Sequence, residues 1–337
     1  MSDQQPSQNE TQPTPREPVV LRGISSRAWE HPADRGALVA LRELRGFDVV
    51  LRKFSGMLSE RAIRLAFLGS AIKVDRHQYS RVYDAYLKVA SVLDVDESDL
   101  PELYIARNPD LGGMCIGIDK TIIVLNSGSL DMLDEVELRF LIAHELGHAL
   151  SGHGLYRTLL MVLLRLTTSV AWIPVGVVGL RVITAALQEW QRKSELSADR
   201  AGALAVQDPA VNIRFMAKLA GGGDLSDVDT AAFLEQAKEF EAGGDLRDSF
   251  LKLMLLEPRS HDFAVARAAA LKQWVDEGDY REVLAGDYPR REDDADASIS
   301  EEAKAAAKSY KDVFETSGDP LAKLLRKFRD GATGSRG

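Results

Sequence analysis

Two histidines four positions apart, with a glutamate after the first, stand in the run FLIAHELGHAL as His144, Glu145 and His148. On a helix, side chains at i and i+4 project from one face a turn apart, so both imidazoles can hold one ion beside the Glu145 carboxylate. Zinc suits such a set, because a catalytic zinc takes three nitrogen or oxygen ligands and leaves a fourth position for water. The third ligand must come from elsewhere in the chain. Glu195 in KSELSADRAG is the strongest donor, with Asp199 about one helical turn further on to accept the other ring N–H of a ligand histidine. Glu189, on the same helix, is the alternative ligand, but no acid stands four residues after it. One zinc ion there would bring the pKa of a water to about 7 and polarise a peptide carbonyl, with Glu145 as the general base that passes the water proton to the leaving amine.

The elements that must position these groups can be read around them. Asp134 with Glu137 three residues later is a capping-box start, so a helix runs from there through His148. A second helix is expected over about 182–206, ending before Asp208-Pro209, and further helices over 230–241, 246–256 and 262–275. Ahead of the HELGH helix, short apolar and β-branched runs at 103–106, 114–118 and 121–125 are separated by turn residues, which predicts a small antiparallel sheet. An extended substrate could pair with the edge of Gly113, Met114, Cys115 and Ile116, the strand nearest upstream. The Cys115 side chain itself reads as core rather than nucleophile. His153, five positions after His148, turns off the ligand face and suits a helix end, while His31 and His77 lie among polar residues as surface groups.

Composition narrows the remaining choices. The 337 residues are 45% hydrophobic and 28% charged, as in ordinary globular proteins. The net charge of -9 is concentrated between Asp276 and Glu302, and no basic stripe answers it, which excludes nucleic acid as a partner. A single cysteine rules out an intramolecular disulfide and fits a cytoplasmic, reducing compartment. Residues 1–18 read as a disordered polar tail without a secretory signal, and 19–100 as a helical region. Residues 101–276 read as the catalytic domain, and 277–337 as an acidic linker followed by a short basic helix around Lys323, Arg326 and Lys327. Within the catalytic domain, 156–187 is strongly apolar, but its longest uncharged run, 166–180, is 15 residues, short of the ~20 a spanning helix needs. A helical hairpin bent near Pro174 is expected, packing on the catalytic body or making peripheral contact with a membrane surface without spanning it.

HELGH, an apolar insertion and then SELSADRAG together resemble the HtpX-like and CAAX prenyl protease group, metallopeptidase family 48, within the gluzincin branch of the zincins. The similarity runs from about residue 103 to 271 and includes the later segment SHDFAVARAAAL. It implies a mostly α, α+β zincin-like fold and a zinc metalloendopeptidase acting on protein or peptide substrates. Carried over, His144, His148 and Glu195 are the metal ligands, Glu145 the base and Asp199 the carboxylate behind a ligand. His261 and Arg267 match a family segment near the active site, and His261 is the candidate donor to the tetrahedral oxyanion. The chain departs from many relatives in having Asp262 where they have proline, and in lacking an apolar span before the motif. Two other classes of function compete: a non-catalytic zinc-binding scaffold, and a membrane-surface adaptor built on the apolar segment.

Overall fold

A computed structural model describes residues 17–44, 46–57, 59–166, 176–242, 264–296, 304, 307 and 308. Residues 1–16 of the expected tail, the helix at 246–256, the bend at Pro174 and the basic C-terminal helix fall outside these residues. The first part of the described chain is helical: α1 (Pro32–Glu43), α2 (Phe47–Met57), α3 (Glu60–Ser70) and α4 (Ser80–Val92), with the short strand β1 (Ala71–Lys73) between the last two. Three more strands follow, β2 (Glu102–Ala106), β3 (Gly113–Gly117) and β4 (Thr121–Asn126), then α5 (Ser127–Met132). The remaining described helices are α6 (Glu135–Leu150), α7 (Gly154–Leu166), α8 (Gly176–Val206), α9 (Pro209–Gly221), α10 (Thr230–Ala242), α11 (Ala264–Glu277) and α12 (Asp279–Ala285).

The fold is mostly α with a small sheet, the α+β class expected, but the sheet is mixed rather than antiparallel. Its order is β1-β2-β4-β3; β1 pairs with β2 and β3 with β4 antiparallel, while β2 and β4 run parallel. The reason is topological. β3 and β4 form a hairpin through Asp119-Lys120, and β4 rather than β3 lies beside β2, which leaves β3 on the edge. Strand periodicity reports which residues are extended, not which strands are neighbours. β1 escaped the sequence reading because three residues carry no period.

The sheet is covered on both faces. Leu103, Ile105, Ile123 and Leu125 turn to one side and join the main core with Val89 of α4 and Phe140 and Leu141 of α6. Tyr104, Ile122 and Val124 alternate to the other side with Ile116, and pack with Ile63 and Phe67 of α3 and Met161 of α7. Leu21, Ile24 and Trp29, ahead of α1, lie in the same main core as α6.

A second core settles where much of the apolar segment goes. Leu159, Leu160 and Leu163 of α7 and Leu180, Ile183 and Leu187 of α8 are buried with Ala37 and Leu41 of α1 and Phe47, Val50 and Phe54 of α2. Its described arms are therefore buried largely against protein. Among the described residues, no helix is long and apolar enough to cross a membrane.

The contact that matters most for chemistry is α6 on α8. The capping box forms as expected, with Oδ1 of Asp134 accepting from the N–H of Glu137 at 2.8 Å and Oε2 of Glu137 accepting from the N–H of Asp134 at 3.0 Å. Nζ of Lys218 on α9 ties the buried Glu137 carboxylate at 2.7 Å, so the start of α6 is fixed to its neighbour. At the other end, a Cβ on Gly147 would stand 2.6 Å from Cβ of Ala201, and one on Gly202 would meet the Phe140 ring at 2.9 Å. Glycine at both places lets the two helices approach more closely than any other residue would allow.

Candidate metal centre

That close approach sets Glu195 of α8 against the two histidines of α6. Nε2 of His144 lies 3.3 Å from Oε2 of Glu195, and Nε2 of His148 lies 3.4 Å from Oε1 of the same carboxylate. One ligand atom from each of the three residues falls within 4.8 Å of the others, and all three residues are buried. Two imidazoles and a carboxylate are donor types that suit zinc, and the three lie close enough to share one ion, which would take the place that Nη1 of Arg157 now holds against His148 and Glu195. Glu189 turns elsewhere, pairing with Arg192 and Lys193 on its own helix.

With both Nε2 atoms facing Glu195, each Nδ1 faces away and finds a partner. Nδ1 of His144 meets Oδ1 of Asp199 at 2.9 Å, and Asp199 is clamped by Arg267 of α11, whose Nε and Nη2 donate at 2.8 and 2.5 Å. Nη1 of Arg267 also reaches Oε2 of Glu195 at 3.2 Å. Nδ1 of His148 meets Nδ1 of His153 at 2.9 Å, so His153 stands behind a ligand candidate rather than merely ending a helix. Sequence reasoning missed that role. It also missed Arg157 of α7, whose Nη1 donates to Nε2 of His148 at 2.5 Å and to Oε1 of Glu195 at 2.9 Å. His31 is not a free surface group: it is half-buried and its Nδ1 accepts from the N–H of Ala33 to cap α1.

These contacts set the charge states. Burial pushes the Glu195 carboxyl up, but the guanidiniums of Arg267 and Arg157 outweigh it and hold the group well below the usual range, as an anion. Asp199 is likewise held down, against its burial, by Arg267. Burial pulls both imidazoles down. For His148 burial prevails, aided by Arg157, and the ring is neutral; for His144 the bonds to Asp199 and Glu195 outweigh it and raise the pKa to about 9.

Glu145 sits at the wall of a cleft of about 340 Å³ that His144, Glu195, Arg157 and Arg267 also line. The edge strand β3 contributes Gly113, Met114 and Ile116 to the same cleft. A Cβ on Gly113 would stand 3.1 Å from Oε1 of Glu145, so glycine brings backbone up to that carboxylate. The C=O of Gly112 accepts from the N–H of Asn126, and the N–H of Gly117 donates to Oγ1 of Thr158 on α7 at 2.9 Å. Since backbone groups alternate along a strand, Gly113, Cys115 and Gly117 turn theirs to the outer edge. The Cys115 side chain points into the core, where burial and then the Glu145 charge push its thiol up to about 12. His261 lies outside the described residues.

Comparisons with known proteins give the family. The model for Peptidase family M48 matches residues 77–275. The chain is 28% identical over 275 residues to the plastoglobule-localized metallopeptidase 48, chloroplastic, of Arabidopsis thaliana, which covers 79% of this chain and 78% of the relative. No solved structure matches.

Proposed function

Since the chain belongs to peptidase family M48, we propose that it is a zinc metalloendopeptidase with His144, His148 and Glu195 as the ligands of one zinc ion. The observation that carries this is the convergence of two imidazole Nε2 atoms on one buried carboxylate at a cleft that Glu145 and an edge strand share. Bound there, zinc supplies Lewis acidity to a water and to the scissile carbonyl. Every other step belongs to the chain. Asp199 accepts the Nδ1 proton of His144, so the proton that the ion would displace is the one on Nε2. Glu145 takes the proton of the attacking water and delivers it to the leaving amine.

An extended peptide adds to β3 through the edge backbone of Gly113, while Met114 and Ile116 offer apolar wall to its side chains; Cys115 is fully buried and takes no part in that pairing. Thr158, which occupies the Gly117 edge, stops the added strand there. His261 is kept as the further donor to the oxyanion, on the resemblance of its segment alone.

Replacing Glu145 separates this reading from that of a non-catalytic zinc scaffold. Glu145→Gln keeps shape and hydrogen bonding but takes no proton at neutral pH. Elemental analysis should find one zinc per chain in wild type and variant alike, and turnover of a peptide library should fall about 10²–10⁴-fold. Undiminished turnover by the zinc-loaded variant would remove Glu145 from its role.

We also propose peripheral contact with a membrane surface. Leu164, exposed near the end of α7, and the plastoglobule location in the relative's name support it. Carbonate or high salt should release the protein from membranes without detergent; a requirement for detergent would contradict it.

A further inference from the structure

His148 is oriented through a second imidazole that is itself held by an acid far away in the chain. Nδ1 of His153 faces Nδ1 of His148 at 2.9 Å, and Nε2 of His153 faces Oδ2 of Asp34, on α1, at 3.2 Å. One placement of protons satisfies the whole series. A guanidinium only donates, so the contact from Arg157 leaves Nε2 of His148 with its lone pair and puts the His148 proton on Nδ1. That proton is donated to Nδ1 of His153, which must then carry its own proton on Nε2 and donate it to Asp34.

Asp34 is built to stay where it is. It is 2% exposed, and besides His153 it accepts from Nε1 of Trp190 at 2.9 Å and from Oγ of Ser197 at 2.6 Å. Both donors lie on α8, the helix that carries Glu195. The His153 ring packs edge-on against Trp190, with centroids 5.4 Å apart, which fixes its plane as well as its tautomer.

We propose that Asp34 and His153 are positioning residues for the metal site: Asp34 holds His153 as the Nε2–H tautomer, and His153 in turn holds His148 with Nε2 aimed at the ion. Asp34 precedes the span that the family model matches, so the support of this ligand comes from a segment outside that model. The inference rests on His148 being a ligand, and its test keeps the two claims apart.

Full-length wild type, Asp34→Asn, His153→Phe and the double variant are compared by competition with a zinc chelator, alongside the thermal midpoint of each metal-free protein. Each single variant should lose about ten- to hundred-fold in zinc affinity, the usual effect of removing a partner behind a ligand. The double variant should lose no more than the worse single one, because both act through one contact on His148. Wild-type affinity in either single variant, or losses that multiply, overturns the proposal. Imidazole nitrogen-15 shifts of the metal-free wild type need no variant to fold: Nδ1–H on His148 with Nε2–H on His153 supports the relay, and the reverse pair of tautomers refutes it. Absence of zinc uptake by wild type would refute the ligand reading instead, and the nitrogen shifts would still decide the relay.

Discussion

His144 and His148 stand one turn apart on α6, yet different parts of the chain hold them. Behind His144 is a carboxylate on the helix that also carries Glu195, locked by Arg267 of α11. Behind His148 is an imaged copy of that logic at one remove, with His153 between the ring and the carboxylate of Asp34. The first arrangement needs only α6, α8 and α11. The second needs α1 to be docked on α8, so the support of His144 lies within the residues that the family model matches and that of His148 depends on a segment before them.

The largest way to break the comparison is through Arg267. Arg267→Met would leave the buried Asp199 and Glu195 carboxylates without this guanidinium, and breaking a buried ion pair costs about 3–5 kcal/mol. Urea unfolding of the metal-free protein should show that loss, and a midpoint like that of wild type would mean that Arg267 is not the counterion on which the His144 side relies. A smaller effect sharpens the contrast. Asp199→Asn should weaken zinc by about ten- to hundred-fold, and, combined with Asp34→Asn, the two losses should multiply because the supports share no hydrogen bond. Chelator competition on the double variant checks this; a combined loss equal to one single loss would show a single network instead of two.

What could be read in advance follows the reach of helical periodicity. His144 and His148 share a face about one turn apart with Glu145 next to the first, and Glu195 and Asp199 repeat the four-residue spacing, so each half of the site was legible. Asp134 and Glu137 announced the start of α6 for the same local reason. Asp34 and His153 are joined only by tertiary packing. Asp34 falls on the stripe of Ala37 and Leu41, at i+3 and i+7, but it also stands in the first turn of α1, where an acid is ordinary, so the sequence does not set it apart. Arg157 was hidden for a similar reason: in sequence it is one of several cations interrupting an apolar segment, and only the fold of α7 against β3 turns it into the cleft. The pairing of β2 with β4 was illegible because a strand's alternation names its faces and not its neighbour.

The seam of Gly147 against Ala201 also bears on the order of assembly. Glu195 follows His148 by 47 positions, so an unfolded chain offers an ion only the two histidines, and the third donor arrives when α8 docks. With the proposed ligand set, capture of zinc would therefore be late, coupled to closure of that long loop rather than to formation of the HELGH helix. Once α6 and α8 are clasped by a shared ion, separating them means releasing it, and at free zinc 1,000 times the dissociation constant mass action adds about 4 kcal/mol to the closed state. Metal supply would in this way govern how long the cleft survives, as well as whether it can cut.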